Sequence, residues 1–354
     1  MTSTYHDSSH PQIAANRKAD IDIAAKVAFL SQPSVYPDHP SRVDVIQTHM
    51  SWVFLTDQLV YKLKKPVRFD FLDFSTLERR HHDCMEELRL NRRLAPDVYL
   101  DVVPLTIDAS GQLHLGNEGE PVEWLVKIKR LPRELMLDQA IANNQVDQSD
   151  VRDFTKRLAE FYQQAEPVAM TAQAYQQRLA QSIHAYSQGL LKPDYEIPHR
   201  RVDTVRKSLL NYLSEKSDLF NTRIAEHRIV EAHGDLRPEH VCLTRPPVFI
   251  DCLEFNRDLR NLDPTDELAF LALECEYAGA GWIGQVVFET YRQQTDDDPP
   301  QSLIYFYKAL RAQLRARLSI QHLDDHNTNE RQKWTRRALD YLQLAEHHAE
   351  MLEK

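Results

Sequence analysis

Two short stretches place acidic, basic and imidazole side chains where they can do chemistry together. The first is His233-Gly234-Asp235-Leu236-Arg237-Pro238-Glu239-His240, and the second is Phe249-Ile250-Asp251-Cys252-Leu253-Glu254. Asp235 sits in a glycine- and proline-marked loop, with His233 two residues before it and a possible metal ligand, His240, five after. Asp251 closes the apolar run Pro247-Val248-Phe249-Ile250, which reads as a short strand. One carboxylate on a loop and one at a strand end, about a hairpin apart, suit phosphoryl transfer: the first accepts the proton of an attacking hydroxyl and the second holds Mg²⁺ on phosphate oxygens. Such chemistry asks the protein mainly for positioning and charge stabilisation. Glu254, three residues beyond Asp251, offers either a further metal oxygen or a bond to the loop backbone. His233 is read as structural, packing the loop in place.

The elements that must position these groups run from strands to helices, an α+β order. A short helix is expected over 21–32, then strands over 43–50, 51–56 and 58–65 with a tight turn at Thr56-Asp57. In the last of these, alternation puts Lys62 and Lys64 on one face and Tyr61 and Leu63 on the other. Ser75-Thr76-Leu77-Glu78 fits a capping box for a helix running to about Arg93, since Pro96 follows closely. A hairpin around Gly111 joins strands over 102–107 and 112–115, and 122–128 supplies another strand. From Glu134 onward the pattern is helical apart from 232–256. Asp263 or Thr265 caps an apolar helix over 268–273, with Asp266 a first-turn match to its dipole. Arg311 and Arg315, one helical turn apart, read as solvated charges, an acidic or phosphorylated substrate being the sharper alternative. Asp296-Asp297-Asp298 reads as a loop between helices.

With 354 residues the chain has enough length for two substantial cores. A formal charge of −10 argues against nucleic acid as a partner. The four cysteines are scattered and unpaired in spacing, which fits reduced thiols and a cytoplasmic setting. No apolar run is long enough to span a bilayer, so no membrane association is expected. The polar opening, residues 1–20, has no signal-peptide core and reads as a disordered tail. Oligomeric state is not legible.

His233–His240 resembles the catalytic loop of the aminoglycoside phosphotransferase-like family, which has a protein-kinase-like fold, and is closest to its bacterial sugar-kinase-like members. Compared with the protein-kinase loop, Gly234 stands in the Arg position and His240 in the Asn position, and Asp251-Cys252-Leu253 replaces Asp-Phe-Gly. The resemblance runs from about Val43 to Ala280. It implies a small antiparallel-sheet lobe with one helix over 21–132 and a larger, mainly helical lobe over 133–354, with a hinge at 129–132. It also implies an ATP-dependent transfer of the γ-phosphate to a hydroxyl of a small molecule. By this resemblance Asp235 is the catalytic base, Asp251 the principal ligand of Mg²⁺ (or Mn²⁺), and His240 the second ligand. A strand lysine grips the phosphates, and Glu87 rather than Glu86 orients it; position favours Lys62, which lies deeper in the strand and closer to Val60, over Lys64.

One departure bears on function. No glycine precedes Gly111, which disfavours a P-loop and leaves no glycine-rich lid for the phosphates. The competing reading is therefore a degenerate pseudokinase that binds nucleotide or serves as a scaffold. Phosphorylation of a protein ranks lower, because only some fifteen residues separate Asp251 from the next helix.

Overall fold

The computed structural model describes residues 21–69, 72–324 and 330–352; the tail expected over 1–20 lies outside the described residues. Contacts divide the chain into two units. One comprises the residues up to Cys84 and Leu100–Arg130, and the other comprises Met85–Tyr99 and Leu131–Lys354. The chain leaves the first unit for good between Arg130 and Leu131.

The first unit opens with α1 (Ile23–Leu30) and continues through β1 (Asp44–Gln47), β2 (Ser51–Leu55), β3 (Leu59–Lys64), β4 (Arg68–Phe69) and β5 (Leu72–Asp73). Next come α2 (Leu77–Arg92), β6 (Tyr99–Ile107), β7 (Leu113–Leu115) and β8 (Glu120–Lys129). Six of these strands form one sheet in the order β1-β2-β3-β8-β6-β7. β3 pairs antiparallel with β2 and β8, so Lys62 lies between Val53 and Val126. Alternation along β3 turns Tyr61 and Leu63 into a core with Leu30, Tyr36, Phe54, Leu105 and Leu125. Lys26 and Arg80 both reach the buried Glu123 carboxylate, at 3.0 and 2.8 Å, so the ions are paired where water cannot solvate them. The tight turn before β6's partner strand needs glycine, since Gly111 has φ +87°.

The cap expected at Ser75 falls one residue later, at Thr76, where Arg79 and not an acid stands three residues on. Thr76 accepts from the Arg79 amide at 3.3 Å, while the Ser75 hydroxyl donates to Asp73 at 2.6 Å. Asp73 also accepts from the Ser75 amide at 3.1 Å, a local turn that holds Ser75 beside Asp73 ahead of the helix. Thr76 then starts the helix at Leu77.

The second unit is built from α3 (Leu137–Ala142), α4 (Gln148–Gln164), α5 (Ala172–Leu190), α6 (His199–Glu215) and α7 (Ser217–Ala225). After these the chain forms four two-residue strands, β9 (Val230–Glu231), β10 (Val241–Cys242), β11 (Val248–Phe249) and β12 (Asn261–Leu262). It ends with α8 (Pro264–Tyr277), α9 (Trp282–Gln294), α10 (Gln301–Gln321) and α11 (Arg331–Glu350). β10 pairs with β11 and β9 with β12, both antiparallel. Around them the apolar faces of the helices enclose one core that includes Phe154, Leu158, Phe220, Leu271 and Phe306.

Asp263 caps α8 as expected, accepting from Thr265 at 2.8 Å. The other charges read as solvated are drawn into ion pairs instead. Arg311 forms a two-pronged pair with Asp266 at 2.7 and 2.8 Å, and Arg315 meets Glu274 at 3.1 Å. Asp297 turns inward from its loop to Arg223, which also binds Asp263 at 2.7 Å. The sequence shows charges on helix faces. Only packing shows that α8 is buried almost all round, so that its neighbours' arginines must find partners within it.

Candidate active site

The loop bearing Asp235 is pinned from below. Glu267, in the first turn of α8 and 1 % exposed, accepts from the backbone amides of His233 at 3.1 Å and Gly234 at 2.6 Å. Its carboxylate also accepts from the Tyr162 hydroxyl at 2.7 Å. His233 is fully buried; its Nε2 donates to the Ile250 carbonyl at 2.8 Å and its Nδ1 accepts from the Asp235 amide at 3.3 Å. Burial lowers the pKa of His233, which keeps the ring neutral and Nδ1 able to accept. Gly234 has φ +91°, and a Cβ there would lie 3.1 Å from both Arg260 Cγ and Leu253 Cβ. Glycine is required at this position for conformation and for space.

Four polar side chains converge on this frame. Asp235, partly exposed, receives Arg237 Nη2 on Oδ2 at 2.9 Å, and the other amine of Arg237 meets Glu239. His240 is 6 % exposed and bonds through Nδ1 to the Asp235 carbonyl at 2.7 Å. Because a carbonyl can only accept, Nδ1 carries the proton and Nε2 presents its lone pair. Nε2 lies 3.5 Å from Asp251 Oδ2 and 3.4 Å from Arg237 Nη2. Asp251 sits in the left-handed region, φ +59°, a strained conformation for a residue with a side chain. Its amide donates to the Tyr99 hydroxyl at 3.0 Å. Glu254, half-buried, gives its backbone carbonyl to Arg260 at 2.9 Å.

The residues after Asp251 are held by the end of α2 and by Arg93 just beyond it. Asn91 accepts from the Cys252 amide at 2.9 Å and donates to the Glu87 carbonyl at 2.8 Å. Arg93 donates to the Ala232 carbonyl at 2.9 Å and to the Cys252 sulfur at 3.3 Å. Burial pushes the Cys252 thiol up to about 12, so it stays protonated. Glu87 is fully buried, whereas Glu86 pairs with Arg89 at 2.9 Å. In the first unit, Lys64 is fully buried with its ammonium 4.9 Å from the Phe74 ring centroid, while Lys62 is half-buried.

A divalent cation fits the pair formed by Asp251 and His240. The fixed tautomer of His240 points an unprotonated nitrogen at a carboxylate, the usual form of an imidazole ligand whose other nitrogen is tied to a carbonyl. Sequence reasoning did not single out Glu267, Asn91, Arg93 or Arg237. Arg237 and Glu267 each lie inside or beside a motif already in view, but only distance tells what they hold. A cavity of about 560 Å³ elsewhere in the second unit, lined by Arg93, Phe161, Arg245 and Pro247, includes none of Asp235, His240 and Asp251.

No family model matches the chain. An uncharacterized protein of Mycobacterium tuberculosis strain H37Rv is 32 % identical over 286 residues, covering 78 % of this chain and 54 % of that protein. An uncharacterized protein of Mycobacterium bovis matches to the same extent, so the chain spans about half the length of the curated relatives it matches. Among solved structures, a choline/ethanolamine kinase family protein from Mesorhizobium loti aligns with TM-score 0.52 and 13 % identity, over 92 % of this chain and 99 % of that one. A choline kinase from Cryptosporidium parvum aligns with TM-score 0.55 and 10 % identity, over 94 % and 96 %. At these identities the likeness speaks for architecture: the chain has the protein-kinase-like fold, as those two proteins do.

Proposed function

We propose that the protein is an ATP-dependent phosphotransferase that acts on a hydroxyl group of a small molecule. The observation that carries this reading is the set Asp235, Arg237, His240 and Asp251, drawn within 3.5 Å links of one another, the first three following a backbone turn fixed from α8. In the transfer, the acceptor oxygen bonds to the γ-phosphorus as the bridging oxygen leaves with ADP, and the hydroxyl proton passes to Asp235. Arg237 holds Asp235 by Oδ2, which leaves Oδ1 to meet the acceptor, and its guanidinium would offset charge developing on the phosphoryl oxygens. His240 and Asp251 supply a nitrogen and an oxygen to a divalent ion, which would offset the charge of the phosphates. Of the two lysines, burial favours Lys64 for the phosphates.

The fold neighbours named above are a choline kinase and a choline/ethanolamine kinase family protein, so the acceptor panel begins with choline and ethanolamine and extends to sugars, aminoglycosides and nucleosides. A coupled ADP assay across this panel, with Mg²⁺ or Mn²⁺, tests the activity. Asp235→Asn is expected to lower turnover by about 10²–10⁴-fold with ATP affinity by calorimetry nearly unchanged, since the base meets the acceptor and not the nucleotide. Wild-type turnover that survives Asp235→Asn undiminished would defeat the proposal, and ATP binding without turnover on any acceptor would favour the pseudokinase reading.

A further inference from the structure

At the far end of α8 a second group of ligating side chains has no part in this chemistry. Glu276 is in the last turn of α8, and His347 and His348 are in the last turn of α11. One ligand atom from each lies within 4.8 Å of the others. His348 Nε2 is 3.2 Å from Glu276 Oε2, close to the ~3.4 Å edge of a tetrahedron with metal–ligand bonds of about 2.0–2.2 Å. His347 is exposed and can turn onto the same point. His348 is 2 % exposed, its ring stacks on Tyr305, and its Nδ1 is buried without a hydrogen-bond partner among the described residues. The carboxylate of Glu276 is therefore the one hydrogen-bonding partner of that ring seen here.

We propose that Glu276, His347 and His348 form a binding site for a transition-metal dication, Zn²⁺ in the first place, that clamps the end of α11 to the end of α8. Two imidazoles and one carboxylate suit Zn²⁺ and discriminate against Mg²⁺, which takes oxygen ligands. Three protein ligands leave a fourth position to water. Both helices end here, and their last carbonyls favour positive charge. Lys308 Nζ already exploits that preference, 2.7 Å from Glu276 Oε2, and must swing away when the metal enters. The ammonium and the metal thus compete for one oxygen.

Titration of the full chain with ZnCl₂ by calorimetry, without nucleotide and on a His240→Asn background to silence the loop imidazole, reads the site directly. One Zn²⁺ is expected per chain. His347→Ala, at an exposed position that leaves the fold intact, should weaken it at least tenfold, and Lys308→Met should tighten it by removing the competitor. Zn²⁺ should raise the melting temperature of the parent but not of His347→Ala. Equal binding by the parent and His347→Ala, or no binding by the parent, overturns the site. Phosphotransferase activity is not read, so failure here is distinct from failure of the proposed function.

Discussion

Lys62 and Lys64 share a face of β3, and burial separates them. The end-of-strand residue is fully buried and the earlier one is not, the reverse of the ranking that position in the strand gives. Lys64→Met is expected to weaken ATP binding or turnover at least tenfold, about 1.4 kcal/mol, with Lys62→Met costing much less. ATP calorimetry on both variants decides it, and small equal losses would remove the clamp. His233 carries a prediction about pH. Its folded pKa lies below the ordinary 6.5 because burial disfavours the charged ring. Below 6.5 the unfolded chain therefore binds the proton more readily, so the contribution of neutral His233 is whole above that pH and declines as pH falls towards the depressed value. Protonation also turns Nδ1 from an acceptor into a donor facing the Asp235 amide. The stability difference between wild type and His233→Gln, from urea unfolding, should shrink as pH drops from 7 to 5; a difference that does not change with pH would contradict this account.

At the scale of elements, α8 does more than fill the core. Its N-terminal turn holds Asp263 as cap, Asp266 against Arg311, and Glu267 beneath the loop. Three acids in five residues look alike in sequence, each a match to the helix dipole, and their different duties come from what packs on each side of the turn. Glu267→Gln keeps the shape but removes the charge that two loop amides and Tyr162 point at. A cost of about 2 kcal/mol in stability is expected, since hydrogen bonds to charged groups contribute ~1.5–3 kcal/mol each and the amide keeps part of them. Turnover should fall more than stability explains, while Tyr162→Phe should cost less in both. Parallel chemical denaturation and the ADP assay test this, and a variant with lost stability but wild-type kcat would leave Glu267 a purely structural residue. Helix α2 and the residue after it have a comparable task through Asn91 and Arg93, which grip the backbone after Asp251 and before His233.

Across the whole molecule, each unit has its own hydrophobic cluster, one around Phe54, Tyr61 and Leu63, the other around Phe154, Phe220 and Leu271. Separate cores favour separable unfolding. Scanning calorimetry is expected to give a van't Hoff enthalpy below the calorimetric one, and Leu63→Ala, at about 2–5 kcal/mol, should move one transition and spare the other. A single transition with equal enthalpies would show the two cores to be coupled. The sequence by itself determined the α+β order, the longer strands of the six-stranded sheet, the alternation on β3 and the loop pair around Asp235 and Asp251, because these follow from periodicity, turn residues and motif spacing over a few neighbours; the two-residue strands β4, β5 and β12 carry too little pattern to be read. It did not determine that Arg311 and Arg315 pair with acids of α8, that Thr76 caps α2 in place of Ser75, that Glu267 carries the loop, or that Glu276 meets His347 and His348. Those depend on partners 33 to 72 residues apart or on which neighbour a hydroxyl meets, and a side chain's charge is the same on a solvated face as in a core until packing removes the water.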